Sequence, residues 1–115
     1  MRVLMLTQTT PYLPTHDRAE LAGLHSVFGG GLDRVPLSPI KAQTGSLAAG
    51  SGVDAAAAVL ALHHNTIPAA INTTNVIDGH KLNVAGQARD AKIDVAISSV
   101  YALGGQNAAL VFKKL

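Results

Sequence analysis

Apolar and polar positions along the chain alternate between short buried runs and one long apolar block. Val3-Leu4-Met5-Leu6 reads as a short buried strand, and Pro11 and Pro14 make Thr9 to Thr15 a loop. From Asp17 to Phe28, Leu21, Leu24 and Phe28 recur at helical spacing. Asp17 suits the cap of that helix, with Glu20 at the capping-box distance, and Gly29-Gly30-Gly31 ends it. Val35 to Ile40 is a strand whose two prolines, Pro36 and Pro39, favour an edge or irregular position. Glycine and serine between Lys41 and Gly52 turn the chain. A helix of Ala, Val and Leu then runs from Val53 to about His63. Asn65-Thr66-Ile67-Pro68 breaks it, and a loop rich in Asn and Thr continues to Gly79. Strands are predicted at Leu82–Val84, Val95–Val100 and Ala108–Phe112, the last two joined by a sharp turn at Gly104-Gly105. The order is that of an α/β layer.

The helix from Val53 constrains the fold most. It is apolar nearly all round, and such a helix must be covered on every side. One small sheet covers one side only. Either another part of this chain or another polypeptide covers the rest.

Length and composition narrow the classes. The 115 residues suffice for a single domain spanning 1–115, and 48% hydrophobic content excludes disorder. Aromatics make up 3%, so the core is built from small side chains and its stability margin is thin. The net charge of +2 is scattered; Lys113-Lys114 reads as a solvated tail, and no basic stripe suits nucleic acid. No segment is long and apolar enough to span a membrane or serve as a signal sequence, so a cytoplasmic location is expected. There is no cysteine, hence no disulfide, thiolate metal site or cysteine nucleophile.

Motifs for other chemistry are weak. Gly50-Ser51-Gly52-Val53-Asp54-Ala55 fits a loose G-x-G-x-x-A pattern. It lacks a good preceding strand and an acid near Asn72-Thr73, so a glycine-rich start to a buried helix is the better reading and no cofactor is expected. His16, His25, His63, His64 and His80 form no metal spacing; His63-His64 suits a helix end, where a cation favours the dipole. No G-x-S-x-G elbow occurs, and Ser98-Ser99 on a strand reads as structural. Asp54 reads as an acid in the first helical turn, and Asp33, Asp78, Asp90 and Asp94 as loop or surface residues.

Three collinear segments, however, resemble the C-terminal region of the β-ketoacyl synthases, a branch of the thiolase-like superfamily. Lys41 to Gly52 resembles K-S-x-T-G-H-x-x-G-A-A-G, Ile67 to Asn72 resembles I-P-P-T-x-N, and Leu103 to Lys113 resembles F-G-G-T-N-A-x-L-V-F-K. The Asp17–Phe28 stretch also resembles a D-x-x-E helix of the family. The resemblance implies an α/β fold that is most of one half of a thiolase-like fold, a mixed sheet with packed helices, with the alanine-rich helix buried between two sheets. It implies an acyl-carrier-dependent condensation, whose nucleophile is a cysteine in the N-terminal half.

The resemblance also marks losses. The family's two histidines align with Leu6 and Ser46, neither of which can take their role, and Leu103 stands where the gating phenylalanine would be. Lys41, Thr44, Gly45, Gly104, Gly105 and Asn107 are retained. In the family the lysine supports active-site electrostatics, and the glycine loop gates the site and supplies a backbone amide to the oxyanion. The expectation is a subunit of fatty-acid or polyketide elongation, non-catalytic alone. Its expected partners are a ketosynthase or N-terminal-half chain and an acyl-carrier protein. Two alternatives stand beside it: an interaction protein unconnected with acyl carriers, and a truncated relic.

Overall fold

A computed structural model describes residues 2–6, 14–45, 49–73, 81–102 and 104–115. Ser46, Asp78, His80 and Leu103, together with the loop residues before Pro14, lie outside the described residues. Of Leu6 the backbone alone is described.

Among the described residues, seven strands and three α-helices follow one another as β1 (Val3–Leu6), α1 (Pro14–Phe28), a 3-10 helix (Gly29–Arg34), β2 (Pro36–Leu37), α2 (Lys41–Thr44), α3 (Gly50–His64), β3 (Thr66–Ile67), β4 (Asn83–Val84), β5 (Arg89–Asp90), β6 (Val95–Tyr101) and β7 (Asn107–Lys113). Five strands form one sheet in the order β4-β2-β1-β6-β7, and β3 pairs with β5 in a separate ribbon. β1 runs parallel to β2 and β6, β2 runs parallel to β4, and β7 returns antiparallel to β6. The sheet is therefore mixed, as the family resemblance implies.

Strand periodicity sends neighbouring residues to opposite faces, and β6 shows the result. Ala96 lies in an apolar cluster with Ala58, Ala61 and Leu62 of α3, joined by Ile40, Ile67 and Ile93, with Phe112 of β7 packed against it. Ile97 instead packs against a cluster of Leu21 and Leu24 of α1, Leu32 of the 3-10 helix, and Leu37. Helix α3 thus covers one face of the sheet and α1 the other. At the α3 face the contact is alanine on alanine: Ala58 and Ala96 are both fully buried. That is how a core poor in aromatics brings helix and sheet close together.

Several elements differ from the sequence expectation, each for a local reason. Helix α1 starts at Pro14, and Asp17 falls in its first turn rather than at the cap. Proline suits the first helical position because the N–H it lacks would go unused there. Glu20, read above as a capping-box partner, is buried on the inward face with Leu21 and Leu24. β2 is two residues long, and it sits between β1 and β4 instead of at an edge. A strand that short leaves Pro36 few ladder bonds to disrupt. The turn expected from Lys41 contains the short helix α2, and α3 begins at Gly50, three residues early.

The end of α3 is tied down more firmly than its sequence suggests. Asn65 adopts the left-handed conformation at φ 52° and stops the helix. Its carbonyl accepts from Ala91 N at 2.9 Å, and its side-chain oxygen accepts from Lys114 Nζ at 3.3 Å. Lys114 Nζ also donates to Leu62 O at 3.2 Å, so the presumed solvated tail helps satisfy the last carbonyls of α3. Lys113, His63 and His64 are exposed, as expected of them.

The outer face of α3 is the main departure. Gly50, Asp54, Ala58, Ala61 and Leu62 are buried, but Val53, Val59 and Leu60 are 42%, 47% and 55% exposed. Among the described residues, cover is supplied for one side only.

The alanine contact between α3 and β6 yields a measurable consequence. Ala58→Leu adds three carbons where no space exists and should destabilise the fold by about 1–3 kcal/mol. Urea denaturation of both proteins measures it; equal midpoints would mean that α3 does not pack this closely.

Candidate functional site

Parallel strands put their C-terminal ends on one side of the sheet, the side where open α/β folds build ligand sites. Leu6 pairs with Ser98 and Met5 with Leu37, so β1, β6 and β2 all end there. The chain leaves β2 directly into α2, which carries Lys41, and α3 starts from the same end. The β6–β7 turn, with Gly104 and Gly105, extends beyond that edge. Topology thus gathers Lys41, the start of α3, Gly104 and Gly105 on one rim, although they lie far apart in sequence.

Lys41 is the most constrained of them. Its side chain is 4% exposed, and its Nζ stands 3.8 Å from Oδ2 of Asp54, itself 2% exposed. A Cβ placed on Gly50 would sit 3.5 Å from the same Nζ, so the ammonium lies against the first turn of α3. A cation at a helix N-terminus opposes the dipole, whereas an anion favours it. Asp54, one turn into the helix, offsets that conflict and neutralises a charge that burial would otherwise make costly. Sequence reasoning placed Asp54 in the first helical turn and gave it no partner. The available signal was the chemistry of the helix: Asp54 is its one acidic residue in an apolar alanine run. A carboxylate so placed needs a buried cation.

Side chains strap α2 to the segment after α3. Ser38 Oγ donates to Pro68 O at 2.8 Å, Asn72 Nδ2 donates to Ala42 O at 3.1 Å, and Gln43 Nε2 donates to Ala69 O. The two segments read separately as motifs, Lys41–Gly52 and Ile67–Asn72, are therefore parts of one unit. Asn72 holds a left-handed φ of 62°, which asparagine tolerates better than most residues, and its side chain closes the strap. Thr44 bonds only locally, 3.4 Å from the carbonyl of Ile40, and Gly45 follows at φ 78°, a conformation that suits glycine.

The remaining retained positions form the hairpin at the same rim. Ala102 N donates to Gln106 O and Gly105 N donates to Ala102 O, each at 2.9 Å, closing the turn. Gly105 requires glycine for its φ of 85°. Asn107 starts β7 opposite Tyr101, and its side chain is exposed.

Near this rim Tyr101 escaped the sequence reading, and Asp17 was read there only as a helix cap. Burial raises the pKa of the Tyr101 phenol; Ser99 opposes that shift and the charge of Glu20 adds to it. Asp17 is also raised by partial burial, with His16 opposing. Glu20 and Asp17 lie on the same face of α1, so the D-x-x-E spacing directs both acids inward. Among the described residues no group of histidine, cysteine or carboxylate side chains could hold a metal ion. No helix among them is long and apolar enough to cross a membrane.

The buried pair can be tested apart from any activity. Lys41→Met leaves Asp54 buried without its cation and should cost about 3–5 kcal/mol. Combining it with Asp54→Leu should restore much of that loss. Thermal melts of the single and double variants measure both effects. A double variant no better than the single one would show that the two residues do not act as a pair.

Comparison with known proteins fits this geometry. A structure described as a type II polyketide synthase acyl-carrier protein in complex with its ketosynthase superposes with a TM-score of 0.87 at 18% identity, covering 96% of this chain and 28% of that one. The 3-oxoacyl-[acyl-carrier-protein] synthase 2 of Synechocystis sp. is 35% identical over 88% of this chain. The ketoacyl synthase beta subunit of the tetracenomycin polyketide synthase, from Streptomyces glaucescens, is 35% identical over 89%. The chain spans a quarter of the length of each of these two relatives. The family model "Beta-ketoacyl synthase, C-terminal domain" matches residues 12–74, from α1 through the strapped segment, and with more than half of its length matched the chain belongs to that family.

Proposed function

We propose that this chain is a ketosynthase-like subunit of fatty-acid or polyketide elongation that does not condense acyl units alone and works against a second polypeptide. The observation that carries the reading is the outer face of α3. Val53, Val59 and Leu60 project outward from a helix whose other side is already buried on β6. Apolar surface of this kind gains most when a partner covers it. The partner is a ketosynthase or a chain equivalent to the N-terminal half of one, and an acyl-carrier protein is the expected second partner.

The chemistry supports the non-catalytic part. Condensation requires a thiolate nucleophile, and this sequence has no cysteine. It also requires donors aimed at a developing oxyanion, and loss of one good donor typically costs about 10²–10³ in rate. By the family alignment, Leu6 and Ser46 occupy the two histidine positions. Leucine donates nothing from its side chain, and serine stays neutral at working pH. Lys41, Gly104, Gly105 and Asn107 would then serve as scaffold. Lys41 would set the field at the rim through its contact with Asp54, and the glycine turn would shape the edge of a pocket completed by the partner. The whole of residues 1–115 would act as one domain in that assembly.

A condensation assay with acyl and malonyl carrier proteins, run with and without a ketosynthase chain, tests the proposal. The 115-residue chain alone should give no product. Val59→Asp places a charge on the outer face of α3 without entering the core. It should abolish capture of the ketosynthase chain while leaving the thermal melt unchanged. Product from the chain alone, or unimpaired capture by the variant, would refute the reading.

A further inference from the structure

A cavity of about 600 Å³ lies at the opposite end of the sheet from the rim. Val3, the first residue of β1, and Pro36, the first of β2, border it, so it sits where these parallel strands begin. Phe28 borders it from the α1 side and packs against the Leu21–Leu24–Leu32–Leu37 cluster. Ile67 and Ile93 border it from the α3 side and belong to the other cluster. The cavity therefore reaches both apolar cores. Gly31 of the 3-10 helix helps to keep it open by bringing no side chain. A Cβ there would touch only Arg34, at 3.7 Å.

Every charge on its wall is positive. Arg2, Arg34 and Lys92 line it with exposed side chains, and among the described residues no carboxylate does. None of the three is in an ion pair among those residues; the pair at Lys41 and Asp54 lies at the rim. Asp94 is the acid that feels their field. Its carboxyl is held below the usual carboxylate range chiefly by the Arg2 backbone N–H, which donates to it at 2.9 Å, with burial opposing and the Lys92 and Arg2 charges assisting. That bond comes from the main chain of Arg2, so the guanidinium is not spent on it. We infer that this cavity binds a free anionic amphiphile, a carboxylate on an aliphatic chain. Arg2, Arg34 and Lys92 hold the head, and the chain lies against Phe28, Ile67 and Ile93.

The two halves of that ligand follow from the two kinds of wall. A bare anion would leave the apolar wall in water, and a neutral hydrocarbon would leave the cations unmatched. A carboxylate suits the guanidinium fork, which can grip both of its oxygens. The volume falls within the roughly 300–1,000 Å³ of small-molecule sites. The cations border a concavity instead of forming a stripe, which suits a free molecule better than the surface of a bilayer. The cavity shares no residue with the outer face of α3, so this inference stands apart from the partner proposed there.

Titration calorimetry of the full chain with decanoate, kept below its micelle-forming concentration, should show saturable binding at a single site. Decyltrimethylammonium, which has the same chain length and the opposite charge, should show none. In NMR spectra decanoate should shift the amides of Gly31, Val35 and Ile93 and leave those of α3 in place. Arg34→Gln combined with Lys92→Gln changes only exposed side chains. It should leave the thermal melt unchanged and weaken binding about tenfold or more. Gly31→Leu keeps every charge but fills the space, and it should also block binding. Val59→Asp should bind as the parent chain does. Absence of saturable binding would overturn the inference. So would equal binding of the ammonium probe, indifference to the double substitution, or loss of binding in Val59→Asp, which would place the amphiphile on α3. Binding to phosphatidylglycerol vesicles without binding to free decanoate would assign the cations to a membrane surface and overturn it as well.

Discussion

A helix that is apolar around its whole circumference is stable in water only when both of its sides are covered. Helix α3 is such a helix, and the sheet of this chain covers one side. Alanine on alanine at Ala58 and Ala96 draws the inner side tightly onto β6, while Val53, Val59 and Leu60 face outward. The placement of the other elements follows from where α3 sits. The sheet beneath it fixes the shared rim of β1, β2 and β6, and its N-terminus receives Lys41. Its C-terminus is gathered by Asn65 and Lys114.

The Lys41–Asp54 pair shows how packing and electrostatics meet at that rim. A buried ion pair is weak evidence for stability in itself, since desolvation opposes attraction. Its value here is positional. Asp54 on α3 and Lys41 on α2 tie the two helices to each other, and the Ser38, Gln43 and Asn72 bonds tie the residues in and beside α2 to the segment after α3. A scaffold of this kind can outlast the loss of individual catalytic side chains, because its stability does not depend on them.

The long periodic elements were legible in the sequence, and of the short strands β1, β2 and β4 fell within predicted strands while β3 and β5 did not. Leu21, Leu24 and Phe28 marked the inward face of α1, and the β6–β7 hairpin was announced by two apolar runs around Gly104-Gly105. β3 and β5 contain two residues each and carry no periodic signal, so tertiary pairing alone defines them. Pro36 and Pro39 argued for an edge or an irregular segment; β2 lies inside the sheet but is only two residues long, and so short a strand escapes the constraint that proline imposes on a longer one. At the site, spacing identified Lys41 and the glycine turn as family positions. It could not show that Asp54 is the counter-ion of Lys41, since that contact depends on how α2 folds back on α3. The burial of Glu20 was hidden for a similar reason: a capping-box spacing and an inward-facing acid look alike until the first residue of the helix is known.

Hydrogen exchange across the Gly50–His64 segment, followed with and without a ketosynthase polypeptide, addresses the central claim most directly. If the partner covers the outer side of α3, backbone amides of that helix should become markedly more protected on mixing, with α1 largely unchanged. Identical exchange of α3 in the presence and absence of the partner would contradict the account.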